Sequence, residues 1–210
     1  MNKLSATLGA AAAFVLMAGT AHAVPCTGVS LGTSSTSDFT LNGADANACV
    51  ISTVNPDQGN NGNPSGFSPS PFGTGWTLLT KVSGGTSPKV LDGVSFNWSL
   101  TGNGPTLGQS HDGDWSIGAD KSIKVDLVVA MHAANRSGAF LFTDTTLVAN
   151  QTQQGTWEIN WVNQGGQNPA YSNASLWVRN VTAVPEPETY ALMLAGLAAI
   201  GFIASRRATA

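Results

Sequence analysis

Only a tenth of the 210 residues are charged, and the formal net charge is −3. A chain without a basic stripe is not built for nucleic acid, and its solubility must come from neutral Asn, Gln, Ser and Thr. Two cysteines, with His111 and His132 in separate segments, do not make a zinc site.

Residues 1–23, MNKLSATLGAAAAFVLMAGTAHA, follow the grammar of a secretory signal peptide. Lys3 gives the charged start and Leu8 to Met17 the apolar stretch. Ala21-His22-Ala23 gives the A-x-A cleavage site, with Ala21 and Ala23 as its small residues. The mature chain is expected to begin at Val24. Residues 24–184 then form one domain, long enough to bury a sizeable core. They carry six basic against ten acidic side chains. In an exported chain a pair of cysteines implies one disulfide, Cys26–Cys49. It would close a loop of about 24 residues and contribute about 3 kcal/mol by the chain-entropy model.

The body reads as strands throughout. Short β-like runs are expected at Thr27–Leu31, Asp38–Leu41 and Ala48–Thr53, with Asn42-Gly43 as a two-residue turn. Residues 55–75 show no periodicity and are dense in Pro, Gly, Asn and Ser, so a long loop is expected there. Strands follow at Trp76–Val82 and Val94–Leu100. In the second, Val94, Phe96, Trp98 and Leu100 share one face. Ile123–Met131 turns apolar on both faces and reads as a central strand, with Gly138–Thr143 as its hairpin partner across residues 133–137. Thr156–Val162 and Ser175–Val181 complete the set. No amphipathic helix appears in the body. The fold class is all-β, an antiparallel β-sandwich or jelly-roll-like body.

Candidate chemistry is sparse. Asp112, Asp114 and Ser116 imitate the first ligands of a calcium loop, but Ile117 stands where that loop needs Gly and Ile123 where it needs Glu. A looser extracellular calcium site over Asp112, Asp114 and Asp120 remains as a candidate, against the plain reading of an Asp-Gly turn. A Ser-His-Asp set could be drawn from Ser110, His132 and Asp144, yet no G-x-S-x-G elbow supports it. Glu158 is the only glutamate of the body, a poor start for glycoside cleavage by paired carboxylates. No catalytic residue, cofactor or metal centre is expected. All six tryptophans lie in the body, most on apolar strand faces, with Trp115 beside two aspartates the least core-like. Rings left exposed would suit stacking on sugars.

The tail has three parts. Pro185-Glu186-Pro187 is stiff and extended, because proline fixes φ and lacks an N–H. Residues 190–205 are an uncharged apolar run that reads as a single transmembrane helix, short for a span at about 1.5 Å per residue. Arg206-Arg207 closes it with positive charge, expected on the cytoplasmic side. Together these residues, in VPEPETYALMLAGL and the terminal arginines, resemble the PEP-CTERM sorting signal of Gram-negative bacteria. The segment GTWEINWVNQGGQNPAYSNASLWVRNV, residues 155–181, also looks like the Trp-rich end of such proteins. The resemblance implies an exported precursor held transiently in the inner membrane by residues 185–210. It implies processing near Pro185, Glu186 and Pro187 by a membrane protease-transpeptidase, an exosortase, with Arg206 and Arg207 in membrane retention. It further implies a destination at the cell surface or in an extracellular matrix, in the setting of exopolysaccharide and biofilm, with extracellular polysaccharide as a candidate partner. A carbohydrate-binding module on the same tail is the alternative, and a secreted hydrolase a third, weaker reading.

Overall fold

Alternation of apolar and polar side chains organises the chain into strands that bury one face each. The computed structural model describes residues 23–29, 32–53, 72–82, 85–185 and 191–200. Ala21 with the rest of residues 1–22, most of the 55–75 loop, Glu186, Pro187, Arg206 and Arg207 lie outside the described residues. The strands are β1 (Thr27–Gly28), β2 (Thr40–Leu41), β3 (Ala44–Asp45), β4 (Ala48–Ser52), β5 (Thr77–Val82), β6 (Gly85–Leu91), β7 (Val94–Gly102), β8 (Asp112–Ala119), β9 (Ile123–Ala133), β10 (Arg136–Leu147), β11 (Thr152–Glu158) and β12 (Asn173–Ala183). A six-stranded sheet runs β1-β4-β10-β9-β12-β5, a four-stranded sheet runs β11-β8-β7-β6, and β2-β3 is a small hairpin. Among the described residues the named strands pair antiparallel, except β1 with β4. Six strands against four, with that parallel edge, differ from the eight strands of a jelly roll.

The main core lies between the two large sheets. Leu127, Val129 and Met131 of β9, Phe140 and Phe142 of β10, and Leu176 and Val178 of β12 face Phe96, Trp98, Leu100, Trp115, Ile117 and Trp157 of the other sheet. A second apolar layer covers the outer face of the six-stranded sheet: Val50, Val128, Ala130, Ala139 and Trp177 are buried with Trp76, and Phe72 packs at their margin. That layer is why β9 is apolar on both faces. The N-terminal segment closes the sandwich on one side. Phe39 stacks on Phe140 with ring centroids 4.3 Å apart and tilts against Trp115 at 6.5 Å. Next to it, the Asn42 amide donates to the Gln154 carbonyl, so the edge of β11 is covered rather than open. Cys26 and Cys49 form the expected disulfide, with Cα atoms 4.7 Å apart. It ties the start of this segment to β4.

Several sequence expectations are met closely. Asn42 and Gly43 make the two-residue turn between β2 and β3, both at positive φ. Four expectations change. Residues 112–119 are a central strand rather than a turn: Asp112 and Asp114 point outward while Gly113, Trp115 and Ile117 point inward. β6 was not foreseen, because Pro88 interrupts its pattern; as the edge strand of its sheet it tolerates a missing N–H. β10 starts at Arg136 and runs to Leu147, twice the expected length, because the turn before it is only Ala134-Asn135. β11 in turn begins at Thr152 and ends at Glu158, before the expected Trp161.

Glycines make room for the indoles. Gly155 pairs with Trp115 across β11 and β8, and a Cβ there would overlap the Thr40 carbonyl oxygen, the acceptor of the Trp115 Nε1–H bond at 2.8 Å. Gly113 pairs with Trp157, and a Cβ there would overlap the Thr101 carbonyl oxygen, which accepts from Trp157 Nε1 at 2.8 Å. Gly155→Ala is therefore expected to cost about 1–3 kcal/mol by overpacking. In a domain of this size that lowers Tm by several degrees, at roughly 2–4 °C per kcal/mol. Gly108→Ala, in a 3₁₀ turn with open space around its Cα, is expected to be close to neutral. Urea unfolding of the two variants checks this; equal midpoints would show that the indole sites are not tightly fitted.

Candidate functional site

The strand that leads into the tail is β12, and a carboxylate on its neighbour fixes its last third. Both neighbours of β9 are bulged near Asp126. β10 slips register between Phe142 and Thr145, with Asp144 at φ 52°, and β12 slips between Arg179 and Thr182, with Asn180 at φ 55°. Asp126 serves both irregularities. It accepts from the Asp144 amide at 2.9 Å, from Asn180 Nδ2 at 2.9 Å and from Arg179 Nε at 3.1 Å. The Arg179 guanidinium stacks over the Trp76 ring, 4.2 Å from its centroid, and donates to the carbonyls of Phe72 and Thr74. One ion pair thus joins three strands and the segment that enters β5. Burial alone would raise the Asp126 pKa. The Asp144 amide, Arg179 and Asn180 outweigh it and hold the carboxyl below the usual carboxylate range. No motif singles out Asp126; its one local signal is an acidic side chain in the mostly apolar run Ile123–Met131, two residues after Lys124.

The other sequence candidates are not brought together. Asp112 and Asp114 lie on the exposed face of β8, and Asp120 lies just past its far end, about 20–26 Å away along an extended chain. Asp112 accepts from Asn103 Nδ2 at 2.7 Å, and Asp120 accepts from the Ser95 amide at 2.8 Å, the bond that chiefly holds its pKa below the usual range. The loose calcium arrangement therefore does not form, because a strand stretches what a loop would gather. Among the described residues no three His, Cys, Asp or Glu side chains form a metal-binding group. Ser110 donates to the Thr106 carbonyl, His132 Nδ1 faces Ser137 Oγ at 3.1 Å, and Asp144 pairs with Lys124 at 3.5 Å. With His132 and the Asp126 region about 20 Å apart along β9, the three do not make a triad.

All six tryptophans are at most 1% exposed, Trp115 included. The expectation that Trp115 stands apart from the core is corrected: its neighbours Asp112 and Asp114 sit on the opposite face of the strand. Among the described residues the solvent face of the four-stranded sheet is mostly polar, with Asn97, Thr101, Asp114, Gln154 and Thr156 exposed and Ser99 bonded to Ser116, and with Val90 as an exposed apolar side chain at its β6 edge. A shallow cleft of about 190 Å³ at one end of this face is lined by Asn97, Asp120, Asn150, Gln151 and Thr152.

Beyond β12 the Val184 amide donates to the Ser122 carbonyl at 2.9 Å, and Pro185 is exposed. A helix, α1, covers residues 191–200. Leu192, Met193, Leu194, Leu197 and Ile200 on it are all more than half exposed, so it does not pack on the body. Among the described residues no helix is long and apolar enough to cross a membrane; of the expected 190–205 span, only 191–200 is described. Residues 183–208 match the family model of the PEP-CTERM protein-sorting motif, so the chain carries that motif at its C-terminus. The motif implies exosortase-dependent sorting, with export and processing at the membrane or cell surface. Comparison with curated proteins and with solved structures finds no match.

A carboxyl with a lowered folded pKa adds stability that is present above its unfolded pKa, about 3.9, and is lost as pH falls through the folded value. Asp126→Asn is therefore expected to be less stable than the wild type at neutral pH, with the gap narrowing below about pH 4. Unfolding free energies measured between neutral and acid pH check this; a gap independent of pH would remove Asp126 from the acid limb.

Proposed function

We propose that the chain is an exported, non-catalytic surface or extracellular-matrix protein of the exopolysaccharide or biofilm setting. Its N-terminal signal is removed after Ala23, its tail holds the precursor transiently in the inner membrane, and an exosortase cuts near Pro185, Glu186 and Pro187. The observation that carries this reading is the sorting-motif match at residues 183–208, directly continuous with the last strand of a disulfide-tied β-sandwich. A surface that is poor in charge and rich in hydroxyls and amides supports life in a hydrated polymer.

Carbohydrate binding on the same tail is the second reading, and the polar face of the four-stranded sheet with its end cleft favours it. Contact would then run through hydroxyls, amides and carboxylates, because the indoles are buried. A glycan array probed with processed protein tests this. Binding lost on Thr156→Ala/Gln154→Ala, with the fold retained, supports that face; absence of binding to any glycan leaves a structural role.

Changing Pro185, Glu186 and Pro187 together to Ala is expected to leave uncut precursor in the inner membrane. Exchanging Arg206 and Arg207 for Glu is expected to weaken retention and release unprocessed chain. Mass spectrometry of the C-terminal peptide reads both. Recovery of surface protein that still carries residues 190–210 would make the tail a plain anchor.

A further inference from the structure

β12 is held in two ways along its length. From Ala174 to Val178 it pairs with β9 on one side and β5 on the other, and these residues are buried. The β5 ladder ends at Val178, so β9 is the only sheet partner beyond it. The bulge at Asn180 follows, pinned by Asp126, and Val181 is the last residue to lay its side chain on the main core. What remains is a short one-sided ladder: Thr182 opposite Lys124, Ala183 opposite Ile123, and the Val184 amide on Ser122. Thr182 and Ala183 are exposed.

That ladder overlaps the sorting motif, which starts at residue 183. A cleft that takes an extended peptide binds its main chain as well as its side chains. Pro185 and Pro187 have no N–H to offer, so the nearest upstream donors lie in residues 182–184, where the Val184 amide is already held by the Ser122 carbonyl and Thr182 is paired with Lys124 of β9. We propose that Thr182–Val184 is a releasable end of β12. It peels from β9 to feed the motif to its processing enzyme, and the Asp126–Arg179–Asn180 cluster stops the opening at the bulge. The proposal rests on the exosortase reading above. Peeling frees about 10 Å of chain whose own three side chains are none of them fully buried, the profile of a low-energy local opening.

The test is a cross-strand lock. Lys124 and Thr182 are exposed and directly opposed, a spacing of about 5.5 Å or less that a disulfide can bridge. In cells that process the wild-type precursor, Lys124→Cys/Thr182→Cys is expected to accumulate uncut at least roughly tenfold over wild type once bridged, whereas each single variant is cut normally. A flexible eight-residue Gly-Ser insert between Val184 and Pro185 is expected to restore cutting of the bridged form. Normal cutting of a chain whose bridge is verified by mass mapping overturns the proposal, as does failure of the insert to rescue. A wild-type chain that is itself uncut instead overturns the sorting reading and takes this one with it. Amide exchange on the full-length chain gives an independent reading: the Val184 amide is expected to exchange at least roughly 100-fold faster than those of Leu176 to Val178, and equal protection overturns the releasable end.

Discussion

Six indole rings have to be buried in one modest domain, and much of the fold answers that demand. Each ring needs volume, and four of the six find an acceptor for the N–H. Trp115 and Trp157 find theirs in backbone carbonyls of Thr40 and Thr101, Trp177 in Ser175 Oγ, and Trp76 in the Phe72 carbonyl. Gly155, Gly113 and Gly138 supply the thin backbone; a Cβ on Gly138 would come within 2.8 Å of the Trp161 ring. The acceptor for Trp115 belongs to the N-terminal segment, so that segment cannot leave without stranding a buried donor. The disulfide at its start and the Phe39–Phe140 stack in its middle act on the same segment. Closure of the sandwich and burial of the aromatics are therefore one event.

This burial also shapes the surface. With the large rings inside, the described residues on the exposed face of the four-stranded sheet are mainly hydroxyls, amides and a few carboxylates, with Val90 at the edge. Such a face hydrates well. It suits a protein whose environment is a hydrated polymer, and it explains why a sugar-binding reading cannot rest on tryptophan stacking.

The fold class, the disulfide and the sorting tail were legible in the sequence because each follows from local pattern: alternation in Val94–Leu100, an even cysteine count, and prolines before an apolar run. β8 was hidden because Asp112-Gly113-Asp114 has the composition of a turn. Only the sheet shows that Gly113 is small to admit Trp157 and that the aspartates alternate outward. β6 was hidden because Pro88 breaks a strand pattern everywhere except at an edge, and edge position is a property of the assembled sheet. Asp126 itself carries only a faint local signal, an acidic residue two positions after Lys124 in a mostly apolar run. Its partners lie 18, 53 and 54 residues away, however, and no local pattern links them.

The two bulges beside Asp126 bear on how the tail leaves the body. A central strand normally continues its pairing to the edge of the sheet, and a tail grown directly from it would inherit that pairing. Here the bulge at Asn180 adds a residue to β12 and resets its register against β9, while β5 stops at Val178. The strand changes at that point from two-sided and buried to one-sided and exposed. A carboxylate kept ionised by its neighbours marks the boundary, and Arg179 carries the restraint outward to Trp76 and the carbonyls before β5. Stress applied to the tail would meet a weak ladder first and a charged, multiply bonded junction second. A precursor pulled from its C-terminus, in a membrane or in a protease cleft, can then yield at its last three residues while the sandwich upstream stays folded.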